Sequence, residues 1–157
     1  MSTPDALETK IRAAFPDRPA PRSEAMLQAP YTNNDDALEM RAAFANRPWT
    51  ELDRRELFRH RQMLTALTGA GYQAVLPAYL VAALTDDPRH GADLRQYVLY
   101  GLDALSDSEV HVATARERLS QLTAEQRGVI ADVLAYLART WRMQDAAALL
   151  AKWSRAA

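Results

Sequence analysis

The chain has 157 residues, 48% apolar and 25% charged, with a formal net charge of −1 and no cysteine. This is the balance of a globular domain with one core; it excludes a disordered chain and a broadly basic protein drawn to nucleic acid or anionic membranes. Without cysteine, disulfides, zinc–thiolate sites, iron–sulfur clusters and thiol nucleophiles are excluded together.

The segment from Met1 to Lys10 has no basic run followed by an apolar one, so no signal peptide is read there and a cytoplasmic protein is expected. Only Lys10 and Lys152 are lysines among 19 lysines plus arginines, and alanine is abundant, a composition expected of a bacterium with GC-rich codons. Thr3-Pro4-Asp5 predicts a helix start: a hydroxyl N-cap, proline at the first helical position, an acid in the first turn. Leu7, Ile11, Ala14 and Phe15 follow as one apolar stripe, and Pro16 stops it. Pro16, Pro19, Pro21 and Pro30 make residues 16–32 an irregular, largely extended connection, with Met26-Leu27 pinning it to the core. Asn33-Asn34-Asp35-Asp36 opens a second helix, to about Asn46, with Ala37, Met40, Arg41 and Phe44 on one side. Pro48 ends it. Thr50 reads as the cap of a third helix in the pattern T-x-x-D, with Trp49 stapled on its first turn, running to about Leu67. Thr68 then caps a fourth helix over residues 69–84.

From Gln62 to Thr85 there is no charged residue in 24 positions. Between Tyr72 and Leu84 only Gln73 is clearly polar, so a helix there is apolar on nearly every face and must be surrounded by other elements or by lipid. Its length, the arginines before it and Asp86-Asp87 after it admit a membrane span. Gly69, Gly71, Gln73 and Pro77 interrupt it, however, and the reading adopted is a buried central post with a kink or short break at Pro77.

Asp86-Asp87-Pro88 and Gly91 make a turn. Leu94, Tyr97, Val98, Leu102 and Leu105 define a fifth helix. Ser106-x-x-Glu109 is a capping box for a sixth, carrying Val112, Ala115, Leu119 and Leu122. Thr123-x-x-Gln126 opens a seventh with Val129, Ile130, Val133, Leu134, Leu137 and Trp141 on its apolar side. Ala146, Leu149, Leu150 and Trp153 continue at helical spacing, as an extension or after a bend near Gln144-Asp145. No strand-like alternation competes. The expected fold is all-α: a compact single-domain bundle over residues 1–157, of about seven or eight helices around the central apolar helix of residues 69–84.

Chemistry is sparse. There is no glycine-rich phosphate loop, no G-x-S-x-G elbow, no H-E-x-x-H and no calcium-loop pattern, and His60, His90 and His111 do not pair at helical spacing. No metal site and no cofactor are read. One constellation could carry a reaction: on a continuous third helix Glu56 and His60 stand one turn apart, inside the arc of Leu52, Leu57, Met63, Leu64 and Leu67, as a carboxylate–imidazole acid–base pair. The plainer reading, which the absence of any nucleophile or oxyanion motif favours, is a satisfied polar pair near the helix end or simply the margin of the apolar stripe, since ion pairs at this spacing are commonplace on helices. The opposite side of the helix carries Arg54, Phe58 and Arg61, with Arg55 and Arg59 further round. Arginine around an aromatic is an interface composition; the competing reading is a solvated basic face whose Phe58 packs under a loop. Glu51 and Asp53 interleave these arginines and argue against nucleic acid.

Ile11-x-x-Ala14-Phe15-Pro16, Trp49-x-x-Leu52, Leu76-Pro77-Ala78-Tyr79-Leu80-x-x-Ala83-Leu84, and Leu122-Thr123-x-Glu125-Gln126-Arg127 leading into Leu134-x-Tyr136-Leu137 occur in that order. In these segments, over residues 8–140, the chain resembles a bacterial domain-of-unknown-function family of small helical proteins. Members often carry cysteines between the first helix and the tryptophan, where this chain has Asn34, Asp35 and Asp36, so no cysteine role carries over. The resemblance implies a compact helical fold and a bacterial origin, with no reaction, cofactor or catalytic residue.

The sequence thus leads first to a non-catalytic protein-binding module, an adaptor or immunity-type protein by analogy of size and fold. Another protein is the expected partner, through Arg54, Phe58 and Arg61, with no nucleic acid and no membrane. The alternative is a small enzyme using Glu56 and His60. A binding module should expose an arginine–aromatic patch, an enzyme should line a concave pocket with Glu56 or His60, and a membrane protein should expose residues 72–84.

Overall fold

Five helix starts in this chain fall where a side chain accepts one of the N–H groups that a first turn leaves unpaired. In the computed structural model, which describes residues 2–28, 31–103 and 116–155, the Thr3 hydroxyl accepts from the Ala6 N–H to open α1 (Pro4–Ala14), with Pro4 in the first turn. Asn34 does the same for α2 (Asp35–Phe44) through the Ala37 N–H. Asp53 caps α3 (Arg54–Arg59), Thr68 caps α4 (Gly69–Leu84), and α5 (Gly91–Leu102) follows the turn at residues 86–90. Residues 116–120 are helical (α6). Thr123 and Gln126 form a reciprocal capping box for α7 (Ala124–Thr140), and α8 (Gln144–Arg155) closes the chain. Arg142, at φ 52°, turns the backbone between α7 and α8, which is the bend near Gln144 rather than an extension. The fold is all-α, and among the described residues the extended pairing is limited to two isolated bridges, Pro19–Pro48 and Leu27–Leu67. The proposed cap at Ser106–Glu109, the positions Leu105, Val112 and Ala115, and His111 lie outside the described residues.

The centre is α4. Tyr72, Val75, Leu76, Tyr79, Leu80 and Ala83 are fully buried, and even Pro77 and the two glycines are covered. The helix packs on α1, α3, α5, α7 and the 3₁₀ turns at Trp49–Glu51 and Arg61–Ala66, so every face has a neighbour. That is how a helix without a polar face avoids water. It runs through Pro77 without a break, and at 16 residues it is about 24 Å long, short of a bilayer's ~30 Å hydrocarbon layer. No helix among the described residues is long and apolar enough to cross a membrane. The uncharged stretch exceeds the helix because its first third is the 3₁₀ turn Arg61–Ala66 followed by an extended Leu67.

The proline-rich connection is held at two places. The Ala20 N–H donates to the Arg47 carbonyl (2.9 Å) and the Asn46 N–H to the Ala20 carbonyl (3.2 Å), with Asn46 taking the left-handed conformation (φ 61°) that asparagine tolerates. Further on, the Thr68 N–H donates to the Met26 carbonyl (2.8 Å), the Thr68 hydroxyl to the Ala25 carbonyl (2.6 Å), and the Gln28 N–H to the Ala66 carbonyl (3.0 Å). Met26 and Leu27 are buried between these ties, as their apolar character predicts.

The third helix differs from its expected course. The Thr50 hydroxyl is bonded to Asp17 (2.7 Å) instead of capping, and Trp49–Glu51 is a 3₁₀ turn with the Trp49 ring buried. Asp53, three residues on, is the cap. Its carboxylate accepts from the Glu56 N–H (2.9 Å) while Glu56 reaches back to the Asp53 N–H (3.1 Å). This reciprocal box satisfies two donors where a lone Thr50 would satisfy one. The helix then ends at His60 (φ −104°, ψ 15°) and the chain tightens into the Arg61–Ala66 turn, so the helix expected to reach Leu67 is two short pieces.

Candidate functional site

The break at His60 rearranges the two groups of residues singled out on that helix. Glu56 and His60 are not assembled as a pair. The Glu56 carboxylate receives both Arg47 terminal nitrogens (2.7 and 3.2 Å) as well as the Asp53 N–H. Arg47 in turn donates to the carbonyls of Ala43 and Glu51, so the ion pair ties the end of α2 to the start of α3. The hydrogen bond from Arg47 holds the Glu56 carboxyl below its ordinary range, which is the opposite of what a proton-donating acid requires. His60 is 8% exposed, edge-on to the Phe44 ring at 5.4 Å. A shallow open groove between α1 and α7 is lined by Lys10, Ala13, Glu125, Gly128, Val129 and Asp132, and includes neither Glu56 nor His60. Among the described residues no group of three or more His, Asp or Glu side chains could hold a metal ion.

His60 does carry a pH dependence. Burial, aided by Arg59, holds its imidazole below the ordinary value of 6.5, against smaller opposing effects of Glu39, Glu56 and Asp36. Between the unfolded value and the depressed folded one, the unfolded chain binds the extra proton, so stability present above about pH 6.5 is lost as pH falls through the folded pKa. Urea unfolding is therefore expected to show wild-type stability declining from pH 7 to pH 5, with a flatter profile for His60→Gln. A profile unchanged by that substitution would assign the decline to other groups.

Arg54, Phe58 and Arg61 are brought together, and with partners the sequence did not indicate. The 3₁₀ turn swings Arg61 back over Phe58, its guanidinium 4.0 Å from the ring centroid, with one nitrogen donating to the Phe58 carbonyl (2.8 Å). The same guanidinium lies 5.2 Å from the Tyr97 ring, and Tyr97 meets Tyr100 edge to face at 5.7 Å. The His90 ring also stands 4.0 Å from that of Phe58. Arg54 reaches Asp87 (3.6 Å), whose carboxylate also accepts the N–H groups of Arg89 and His90 and is held below its ordinary pKa by those hydrogen bonds. The result is a continuous row, His90–Phe58–Arg61–Tyr97–Tyr100, joining α3, the turn at residues 86–90 and α5. Stacking of guanidinium on ring faces contributes about 0.5–1 kcal/mol per contact at exposed sites and fixes rotamers that would otherwise be free.

Three parts of this row, His90, Tyr97 and Tyr100, were misplaced or missed by sequence reasoning. Tyr97 was assigned to the apolar stripe of α5, but the buried face there is Leu94, Arg95, Val98, Leu99 and Leu102, and Tyr97 is half-exposed on Arg61. The stripe shifted because Arg95 is buried: its guanidinium lies 3.8 Å from the Trp141 ring and donates to the Thr85 carbonyl (3.2 Å). Tyr100, 56% exposed, is the one large hydrophobic residue in the open among those described. The signal available was its position: Tyr100 is three residues after Tyr97, on the same side of a helix.

Compared with known families, residues 3–156 match the profile of a family of unknown function, DUF6714. No curated protein and no solved structure matches the chain.

Proposed function

Since the chain belongs to the DUF6714 family, whose membership brings no reaction with it, we propose from the surface itself that residues 1–157 form a single-domain, non-catalytic protein-binding module of the adaptor or immunity type, acting in the bacterial cytoplasm. The observation that supports this reading is the pre-ordered row of Phe58, Arg61, Tyr97 and Tyr100. Arginine and tyrosine are the residue types that concentrate binding energy at interfaces, and here their side chains are already immobilised, so little conformational entropy remains to be lost on association. Arg61, with a side chain only 20% exposed, holds the row together. Phe58, Tyr97, Tyr100 and Arg54 are what a partner meets.

Affinity capture from a lysate of the source organism tests the reading, comparing wild type with Arg54→Glu/Phe58→Ala and with Tyr100→Glu. One protein retained by wild type and lost by both variants is the expected result, with far-UV circular dichroism unchanged. Equal retention by all three, or no partner for any, overturns it. Tyr100 carries the control for folding, because its ring is mostly in solvent.

A further inference from the structure

The charges around the row are arranged unevenly, and the arrangement specifies the partner's chemistry. On α3, Arg54 and Arg55 stand four and three residues before Phe58, on the same side of the helix. Arg89 precedes His90 in the facing turn, and both Arg55 and Arg89 are exposed. Among the described residues neither Arg55 nor Arg89 has an ion-pair partner. Of the acids in these segments, Asp87 is withdrawn, its side chain 16% exposed and already satisfied by Arg54 and two backbone N–H groups, and Asp53 is engaged as the cap of α3, while Glu51 and Asp86 are exposed. At the other end the pattern reverses. Asp93, 67% exposed and 4.0 Å from Arg61, stands where the row passes to Tyr97 and Tyr100. The Phe58–His90 end thus offers two exposed guanidinium groups without an ion pair, Arg55 and Arg89, beside Arg54, and the Tyr100 end offers two tyrosine rings with Asp93 beside them.

Resting on the binding-module reading above, we infer that this face takes an acidic, aromatic- or leucine-containing protein segment, with its carboxylates over Arg54, Arg55 and Arg89 and its apolar side chain over Tyr97 and Tyr100. Bidentate pairing of carboxylates with guanidinium forks suits the first end. At the second end the nearby cation, Arg61, already faces Asp93, which leaves the tyrosine rings to an apolar side chain. Asp93 also decides between polyanions: a nucleic acid carries a phosphate at every nucleotide and would place one against this carboxylate, whereas a peptide can set an uncharged residue there.

The test pans phage-displayed random peptides on the whole chain, then measures the enriched peptides, fluorescein-labelled, by polarisation against wild type, Arg55→Glu/Arg89→Glu and Phe58→Ala/Tyr100→Ala. Enrichment of Asp and Glu beside Trp, Phe or Leu is expected, with affinity weakened about tenfold or more by the arginine pair and by raising salt from about 0.05 to about 0.5 M. Enriched peptides that are neutral or basic, yet lost with Phe58→Ala/Tyr100→Ala, overturn the acidic chemistry while leaving the binding face intact. Peptides indifferent to both variants, or no enrichment at all, overturn the face together with the chemistry. Labelled oligo-dT binding more tightly than any peptide, and released by the arginine variant, replaces the protein segment with nucleic acid. Both arginines are exposed, so unchanged thermal melting keeps a loss of binding from being a loss of fold.

Discussion

Replacing Tyr72 by alanine is expected to lower the free energy of unfolding by about 3–5 kcal/mol, the range for removing a fully buried large aromatic. Three effects add at this position. The ring fills the space between α4 and α5 with no exposed surface. Its hydroxyl donates to the Gly101 carbonyl at 2.6 Å, one of the four carbonyls that the end of α5 leaves without an intrahelical donor. Its ring also lies 5.1 Å from the Arg118 guanidinium, which is 5% exposed and donates to the Thr65 carbonyl. Burial pushes the Tyr72 phenol well above its ordinary pKa, so it remains a donor at any working pH. Tyr72→Phe keeps the volume and removes only the donor, and should lose about 1–3 kcal/mol, the desolvation penalty of the buried carbonyl it abandons. Urea unfolding of both variants separates the two contributions. Equal losses for phenylalanine and alanine would mean that the ring's packing contributes nothing, contrary to its burial.

The second large effect is expected at Gly71. A Cβ there would stand 2.9 Å from the Met26 carbonyl oxygen and 3.3 Å from the Met26 Cα. These are backbone atoms in the segment clamped by Thr68 and Gln28, so they cannot turn aside as a side-chain end could. Gly71→Ala therefore has to displace the connection and strain the bonds to Met26, at about 1–3 kcal/mol for overpacking. Alanine's better helix propensity returns up to about 1 kcal/mol of that. Gly128, in α7, provides the comparison: a Cβ there meets nothing within 4 Å, and Gly128→Ala should stabilise by about 0.5–1 kcal/mol. Thermal and urea unfolding of the two variants should move in opposite directions. A stabilised Gly71→Ala would mean that the Pro16–Gln28 segment is not held against α4 as described.

The site was half legible in the sequence, and the reason lies in one broken helix. Arg54, Phe58 and Arg61 could be grouped by proximity in the chain, and they do meet. Placing Glu56 and His60 on one arc with Met63, Leu64 and Leu67 assumed 100° per residue through His60. The change to a 3₁₀ turn there removes that phase relation, and Arg47, distant from the helix in any such projection, claims Glu56 instead. His90, Tyr97 and Tyr100 come from another part of the chain, and only packing of α5 and its preceding turn against α3 brings them to Phe58.

A similar division runs through the whole fold. Starts of helices were read correctly at Thr3, Asn34, Thr68 and Thr123 because an N-cap reaches only three residues along its own chain, so donor and acceptor are written side by side. The central helix was legible too, since a run without a polar face must be covered on every side, and Gly69, Gly71, Gln73 and Pro77 weighed against lipid as the cover. The ends of helices were read less evenly: α1 stops before Pro16 and α4 ends at Leu84 as expected, but the third helix stops at Arg59 instead of Leu67. No glycine in the chain adopts the positive φ that closes so many helices elsewhere. Instead several carbonyls at helix ends are met by side chains from other elements: Gln126 donates to Ala14, Tyr79 to Leu57, Arg95 to Thr85 and Tyr72 to Gly101. Those donors lie 10 to 112 residues from their acceptors. Local sequence can specify a bond that spans one turn, but a bond across the core exists only once packing has brought its two ends together.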